Sequence, residues 1–495
     1  IGTDLAKAES IAIPLTVLLL IIVFGSLVSA LLPFSVAAVG ILGTLATLFV
    51  IAQWADVSVF AINLITGLGL GLGIDYALLV VNRFREELAR GLAPADAVER
   101  TVATAGRTVA VSGLTVAFVL GSLLLFPQYF LKSFGYAGIA VTLLALTASV
   151  TALPALLAIL GHRVDKLKVR RGDLAPKDTG LWSRVARTVM RYPVPVLLIT
   201  VIGLGALAAP FTSAEFTQTD ARVLPADNPA AMVTATLAEE FPGQEGSPIS
   251  VILPGAADQE AELDTYAIAV SKLADVVRVE APDGVYKDGA RVADNPQATA
   301  FVHGEDARLS IVSDLPPLSS EARDQIDQLR GVDNDFDEVL VGGVGASFTD
   351  AQHALYERGK LALAWVGVAT LFVLFLYTGS VLLPLKAVAL NVLSLSATMG
   401  MLVLVFQEGH LGWLVGDFTM TGGIDTSMAI LIAIVTFALS MDYEVFLLSR
   451  IKEEHDAGLD STEAVALGLQ RSGRIITAAA LMLAVVFAAF VTSGV

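Results

Sequence analysis

Ten apolar stretches decide what this chain can fold into. They fall near residues 11–32, 34–53, 59–81, 108–126, 134–160, 193–210, 360–380, 382–405, 427–449 and 474–494. Each is about the length, roughly 18 residues or more, that a helix needs to cross a hydrocarbon layer. Composition agrees, because 55% of the 495 residues are hydrophobic and only 16% are charged, far from the balance of a soluble domain. The expected class is a multi-span α-helical membrane protein.

One long segment does not fit the membrane. Residues 211–358 are polar over a length that suits a separate domain rather than a loop. Basic residues gather in 82–107, with Arg83, Arg85, Arg90, Arg100 and Arg107, and in 161–192, with KLKVRR at 166–171. Cytoplasmic loops retain positive charge, so both segments are expected inside, and counting spans places 211–358 outside. That domain carries about 18 net negative charges, which accounts for the chain total of −17 and argues against nucleic acid as its partner. Strands are predicted at 247–254, 276–282, 299–304, 308–314 and 338–343, with helices near 258–274 and 319–331. This order suggests an α/β split-βαβ, ferredoxin-like sandwich. It shows no nucleophile–base constellation and no Gly-rich phosphate loop, so a binding or conduit module is expected rather than an enzyme. The chain has no cysteine, and His162, His303, His353, His410 and His455 lie far apart, which leaves no metal-ligand spacing and implies no cofactor.

Self-comparison adds an internal repeat. GIDYALLVVNRFREELARGLAPADAVERTVATAGRTV from Gly73 aligns without a gap to SMDYEVFLLSRIKEEHDAGLDSTEAVALGLQRSGRII from Ser440. The pairing joins Asp75 to Asp442, Tyr76 to Tyr443, Arg83 to Arg450, Glu86 and Glu87 to Glu453 and Glu454, Gly91 to Gly458, and Arg107 to Arg474. SALLP at 29–33 matches SVLLP at 380–384 in the same direction, the pattern of parallel transporter repeats. The expected division is 1–192 for five first-repeat spans and a cytoplasmic linker, 193–210 for the opening span of the second repeat, 211–358 for the exterior domain and 359–495 for four further spans. By that template an opening span and exterior domain are missing from the first half and a last span from the second, as in a fragment of a twelve-span protein.

Within this oily frame Asp75 and Asp442 stand out. Together with Glu444 they are the acids well inside spans, and every lysine and arginine can be assigned to a loop, a span end or the exterior domain. An ionised carboxylate near the bilayer centre costs roughly 2.5–3.5 kcal/mol or more, so such a group is expected to face other helices or water and to mark an ion path. Tyr76 and Tyr443 supply hydroxyls able to donate to a carboxylate or accept from a carboxylic acid. A proton switch follows, duplicated at equivalent depth; the plainer alternative is a pair of buried hydrogen bonds that hold helices together.

Gly67, Gly69, Gly71 and Gly73 contain two i, i+4 pairs and read as helix-packing positions. They fail as a dinucleotide fingerprint, since position 72 is leucine and the segment is a membrane helix. After each Asp-Tyr span comes an amphipathic stretch, PADAVERTVATAGRTV or STEAVALGLQRSGRII, expected either as a surface helix coupling one span to the next or as a basic anchor that sets topology. An intramembrane aspartyl protease would also use two membrane aspartates, but Ile74 and Met441 stand where its motif needs glycine. A non-transporting receptor, scaffold or protein-export accessory on the same fold is a further alternative.

The paired GIDYALLVVNRFREE and SMDYEVFLLSRIKEE, with DARVLPADNPA at 220–230 and FPGQEGSPISV at 241–251, resemble the MMPL family of the resistance-nodulation-division (RND) transporters. The resemblance covers essentially the whole chain. It implies a proton-driven exporter of lipids or other hydrophobic molecules in the plasma membrane of an actinobacterium, with porter domains outside a twelve-helix bundle. Its partners would be a hydrophobic or lipid substrate, protons and membrane lipids, with accessory proteins or further copies of the chain. In that family Asp-Tyr pairs on the fourth and tenth spans relay protons, which maps onto Asp75, Tyr76, Asp442 and Tyr443. A pseudo-two-fold axis would let them cross-pair, Asp75 with Tyr443 and Asp442 with Tyr76. The departure is the missing first span and porter domain, which leaves the substrate path incomplete.

Overall fold

A computed structural model describes residues 2–167, 169, 179–224, 228–240, 245–415 and 418–490. Parts of KLKVRR, of DARVLPADNPA and of FPGQEGSPISV, and the end of the stretch 474–494, lie outside the described residues. The chain forms two compact units. One comprises Ile1–Ala208, Arg358–Thr398 and Ile430–Val495; the other comprises Ala209–Glu357 and Met399–Ala429.

Among the described residues nine helices are long and apolar enough to span a membrane: Leu27–Ile51, Ala61–Ala89, Pro94–Leu125, Tyr129–Asp165, Pro193–Ser213, Val344–Thr378, Leu382–Gln407, Thr426–Asp456 and Ser461–Ala488. A shorter apolar helical stretch covers Ile13–Phe24. The chain is a multi-pass membrane protein. Helices prevail because lipid cannot satisfy an open backbone. The helix Ala61–Ala89 sits deepest, with 83% of its most apolar window buried, against none of that of Pro193–Ser213.

Several boundaries differ from the sequence expectation. The first break falls at Gly25–Ser26, not after residue 32. Gly25 takes φ 65°, and this turn, with Ser26 fully buried, pairs with Leu167 and Val169 through backbone hydrogen bonds. Pro33 is buried inside the helix Leu27–Ile51, a position that a membrane helix tolerates when neighbours absorb the freed carbonyl. The stretch 82–107 is not a loop: its first residues extend the Asp-Tyr helix to Ala89, and Arg83 and Arg85 are buried on it. The amphipathic stretches are not separate surface helices. Pro94–Thr101 runs through a π-helical turn, Val102–Gly106, into Arg107–Gly121, and its counterpart is the continuous helix Ser461–Phe490. The stretch 134–160 is interrupted at Thr151 (φ −125°, ψ −72°), between Tyr129–Val150 and Ala152–Leu160.

The second unit contains an antiparallel sheet. Its central strands are Ile249–Leu253 and Asp306–Ser313, flanked by Leu340–Gly342 on one side and Val276–Glu280 on the other. Inward positions of these strands, Val251, Leu253, Val279, Leu309 and Ile311, form one core with Leu263, Tyr266 and Val270 of the helix Glu260–Val270 and with Ile326 and Leu329 of Ser320–Arg330. Alternation of buried and open positions along Ile249–Leu253 is what a sheet covered on one face requires. The hairpin Val285–Lys287 and Ala290–Ala293, which extends the sheet, was not expected. Its turn uses Asp288 and Gly289, both at positive φ, the signature of a tight hairpin. The predicted strand 299–304 shrinks to Val302–His303 behind a 3₁₀ turn. A short parallel pairing of Phe216–Thr217 with Ile424–Asp425 joins 399–429 to this unit, although the sequence reading assigns part of that segment to spans.

Candidate functional site

Asp75 and Tyr76 lie mid-way along Ala61–Ala89, and Asp442 and Tyr443 lie on Thr426–Asp456. Consecutive helical residues point about 100° apart, so each Asp-Tyr pair offers two side chains to a neighbouring helix. Asp75 is 6% exposed, Asp442 5% and Tyr76 1%. All four line one cavity of about 20 Å³, with Leu79 and Phe446 also on its wall, a volume suited to a single water molecule.

Of the two expected cross-pairs the structure forms one. Tyr443 Oη donates to Asp75 Oδ2 at 2.6 Å, the short distance of a charge-assisted O–H···O bond. Tyr76 Oη is buried without a hydrogen-bond partner among the described residues, so the expected Asp442–Tyr76 pair is not made. The cause is the neighbouring helix Arg107–Gly121. Tyr76 Oη is drawn against Gly113, 3.3 Å from where a Cβ would stand, and toward Ser112 Oγ, without completing a bond to it. Ser112 has no hydroxyl counterpart in the second repeat, where its aligned position is Ala479, a residue on the cavity wall. Sequence reading did not single out Ser112, which lies three residues past the end of the aligned stretch at Val109; carrying the same offset on would have set this polar residue against an alanine.

The glycines contribute unequally. A Cβ at Gly73 would stand 2.7 Å from Ala37 Cα and N, so backbone meets backbone there. At Gly69 it would meet the Ile41 and Val141 side chains, and at Gly71 the tip of Leu483, while Gly67 is simply buried. The second repeat replaces this close crossing with polar groups. Ser440 aligns with Gly73 and Glu444 with Ala77, and the buried Asn391 donates to Glu444 Oε2 at 3.1 Å while accepting from Ser440 Oγ. Asn391 was also missed, because a lone amide inside an apolar run carries little pattern.

Among the described residues no ion pair joins an arginine to Asp75 or Asp442; Arg83 and Arg450 are engaged with glutamates instead. Two helical turns further on, Arg83 meets Glu87 at 3.0 Å and crosses to Glu453 at 2.9 Å, while Arg450 meets Glu453 at 3.2 Å and crosses to Glu86 at 3.6 Å. This cluster of five joins the equivalent Arg83 and Arg450, and Glu86 and Glu453, of both repeats, so partners that lie hundreds of residues apart compensate the buried guanidinium charge.

A family model described as the MMPL family matches residues 1–196 and 222–495. A membrane protein of Streptomyces coelicolor is 40% identical over 99% of this chain, which corresponds to 65% of its own length. The trehalose monomycolate exporter MmpL3 of Mycolicibacterium smegmatis is 34% identical over 100% of this chain and 51% of its own length; the chain thus spans about half to two thirds of these relatives. The cryo-EM structure of the hedgehog release protein Disp from the water bear Hypsibius dujardini aligns with a TM-score of 0.67 over 99% of this chain and 69% of that one, at 14% identity, a likeness of fold alone.

Proposed function

Since the chain belongs to the MMPL family, we propose that it is the core of a proton-driven exporter of lipids or other hydrophobic molecules across the plasma membrane. The observation that carries this reading is the buried hydrogen bond from Tyr443 to Asp75, which joins the two repeats inside a cavity shared with Asp442 and Tyr76. Relatives named as exporters of a mycolate-bearing lipid support the substrate class.

The mechanism follows from charge and burial. A proton arriving from outside neutralises Asp75, weakens its charge-assisted bond to Tyr443 and loosens the joint between repeats. Asp442, facing the same small cavity, is placed to take the proton next. Tyr76, whose hydroxyl has no hydrogen-bond partner among the described residues, is the group placed to receive Asp442 when the repeats move, so the two cross-pairs would alternate. Release to the cytoplasm restores the starting pair. One charge falling through 100 mV supplies about 2.3 kcal/mol, which biases a two-state equilibrium roughly fiftyfold.

The second unit is read as an extracytoplasmic porter domain. Its four principal strands with two covering helices, in the spatial order fourth, first, third, second, support a ferredoxin-like arrangement. Basic residues near the opposite span ends support the orientation. The test is Asp75→Asn in the full-length protein. Loss of export, with the amount of folded protein in the membrane unchanged, is expected; export at the unaltered rate would refute the relay.

A further inference from the structure

Beside the Asp-Tyr cavity lies a larger one of about 350 Å³ that none of the chemistry above uses. It shares Leu79 and Phe446 with the smaller cavity, so this repeat-related pair is the partition between them. Its walls come from both repeats. Arg83 and Arg450 of the ion cluster line it, as do Thr108 and Ser449, whose hydroxyls bond to each other at 2.8 Å. A hollow with charged and hydroxyl walls, one residue layer from two buried carboxyl groups, is built to hold water.

The internal repeat supplies a comparison within one molecule. Rotating the repeats onto each other carries this groove to a second position, which three contacts cross. Arg474 donates to Val23 O at 3.0 Å and Arg85 to Phe24 O at 2.9 Å, which clamps the helix end that precedes the positive-φ Gly25. Trp182 lies over Gly473, within 2.7 Å of where its Cβ would stand. On the open side, the counterpart of Arg85 is Lys452, which donates to Tyr377 O at 3.3 Å, again at a helix end before a positive-φ glycine, Gly379. The counterpart of Arg474 is Arg107. It lines the open cavity, and its guanidinium makes no hydrogen bond or ion pair among the described residues.

We propose that this 350 Å³ cavity is the aqueous route between the relay and the cytoplasm, and that Arg107 closes it by seizing the helix-end carbonyls near Tyr377 as Arg474 seizes Val23. The proposal rests on the relay and orientation above. It also gives the alternating state a geometry: one groove open, its partner latched.

Residues 1–495 contain no cysteine, so thiol accessibility tests it in a cysteine-free full-length background. Ser449→Cys on the open wall and Asn82→Cys, its repeat counterpart, are exposed to a membrane-impermeant methanethiosulfonate in vesicles with the cytoplasmic face outward. Ser449→Cys should react at least about tenfold faster, and Arg474→Ala should raise the Asn82→Cys rate by about as much, since each removed latch shifts the open population. Ala105→Cys is a second reporter on the open wall should Ser449→Cys fail to fold. Equal rates at the two positions, or a modified Ser449→Cys that still exports at the unmodified rate, would overturn the proposal. Failure of the relay itself shows separately, as normal export by Asp75→Asn whatever the labelling.

Discussion

A hydroxyl that bonds a carboxylate across the repeat boundary and a hydroxyl without a partner among the described residues have different consequences when removed. Tyr443→Phe deletes the donor that Asp75 uses and leaves a buried acceptor unpaired, at a cost of about 1–3 kcal/mol. Tyr76→Phe deletes a hydroxyl with no hydrogen-bond partner among the described residues. Thermal unfolding in detergent should therefore show Tyr443→Phe clearly destabilised and Tyr76→Phe close to the parent, while both lose transport if the pairs alternate. Equal destabilisation would mean that the asymmetry is not a property of the resting protein. The four residues themselves were legible, because an acid beside a phenol in two gapless repeats is rare in an apolar helix. Which cross-pair forms was not. It depends on where Ser112 and Gly113 of a neighbouring helix stand against Tyr76, a matter of packing depth that the repeat alignment does not contain.

Helix packing turns on backbone approach rather than on glycine count. Gly73→Ala would push a Cβ against Ala37 backbone atoms, which cannot rotate away, and should cost about 1–3 kcal/mol. Gly71→Ala meets only the end of the flexible Leu483 side chain and gains helix propensity of about 1 kcal/mol. A melting series in detergent should rank them in that order, and a reversed ranking would contradict the packing described. In the sheet unit, burial pushes the Tyr266 hydroxyl up to about 12 from its ordinary 10.0, and its oxygen has no hydrogen-bond partner among the described residues. A raised value favours the neutral phenol in the folded state, so this contribution is whole below pH 10 and is lost as pH climbs toward 12. Alkaline melts should show the parent weakening relative to Tyr266→Phe across that interval, by up to about 2–3 kcal/mol; parallel curves would exclude Tyr266 as the cause. Spans were readable from length and apolarity, yet their ends were not. Pro33 looked like a stop and is a buried interior residue, while Gly25 and Ser26, which do end a helix, sit inside an unbroken apolar run.

At the scale of the molecule, the repeat is the feature that both predicts and organises. Its offset of 367 residues between Asp75 and Asp442 was enough to expect two helices facing each other. It also explains the ion cluster, where Arg83 and Arg450 exchange partners across the boundary. What the repeat hid was the difference between its halves: Gly73 against Ser440, Ala77 against Glu444, Arg107 against Arg474. Such differences bias which cross-pair forms at rest, while the electrochemical gradient sets the direction of proton flow. Reconstituting the full-length protein in vesicles, with a pH-sensitive dye inside and a lipid substrate supplied, tests this most directly. Substrate should trigger proton movement in the parent protein and none in Asp75→Asn or Asp442→Asn. Substrate-triggered proton movement that survives either substitution would contradict the account.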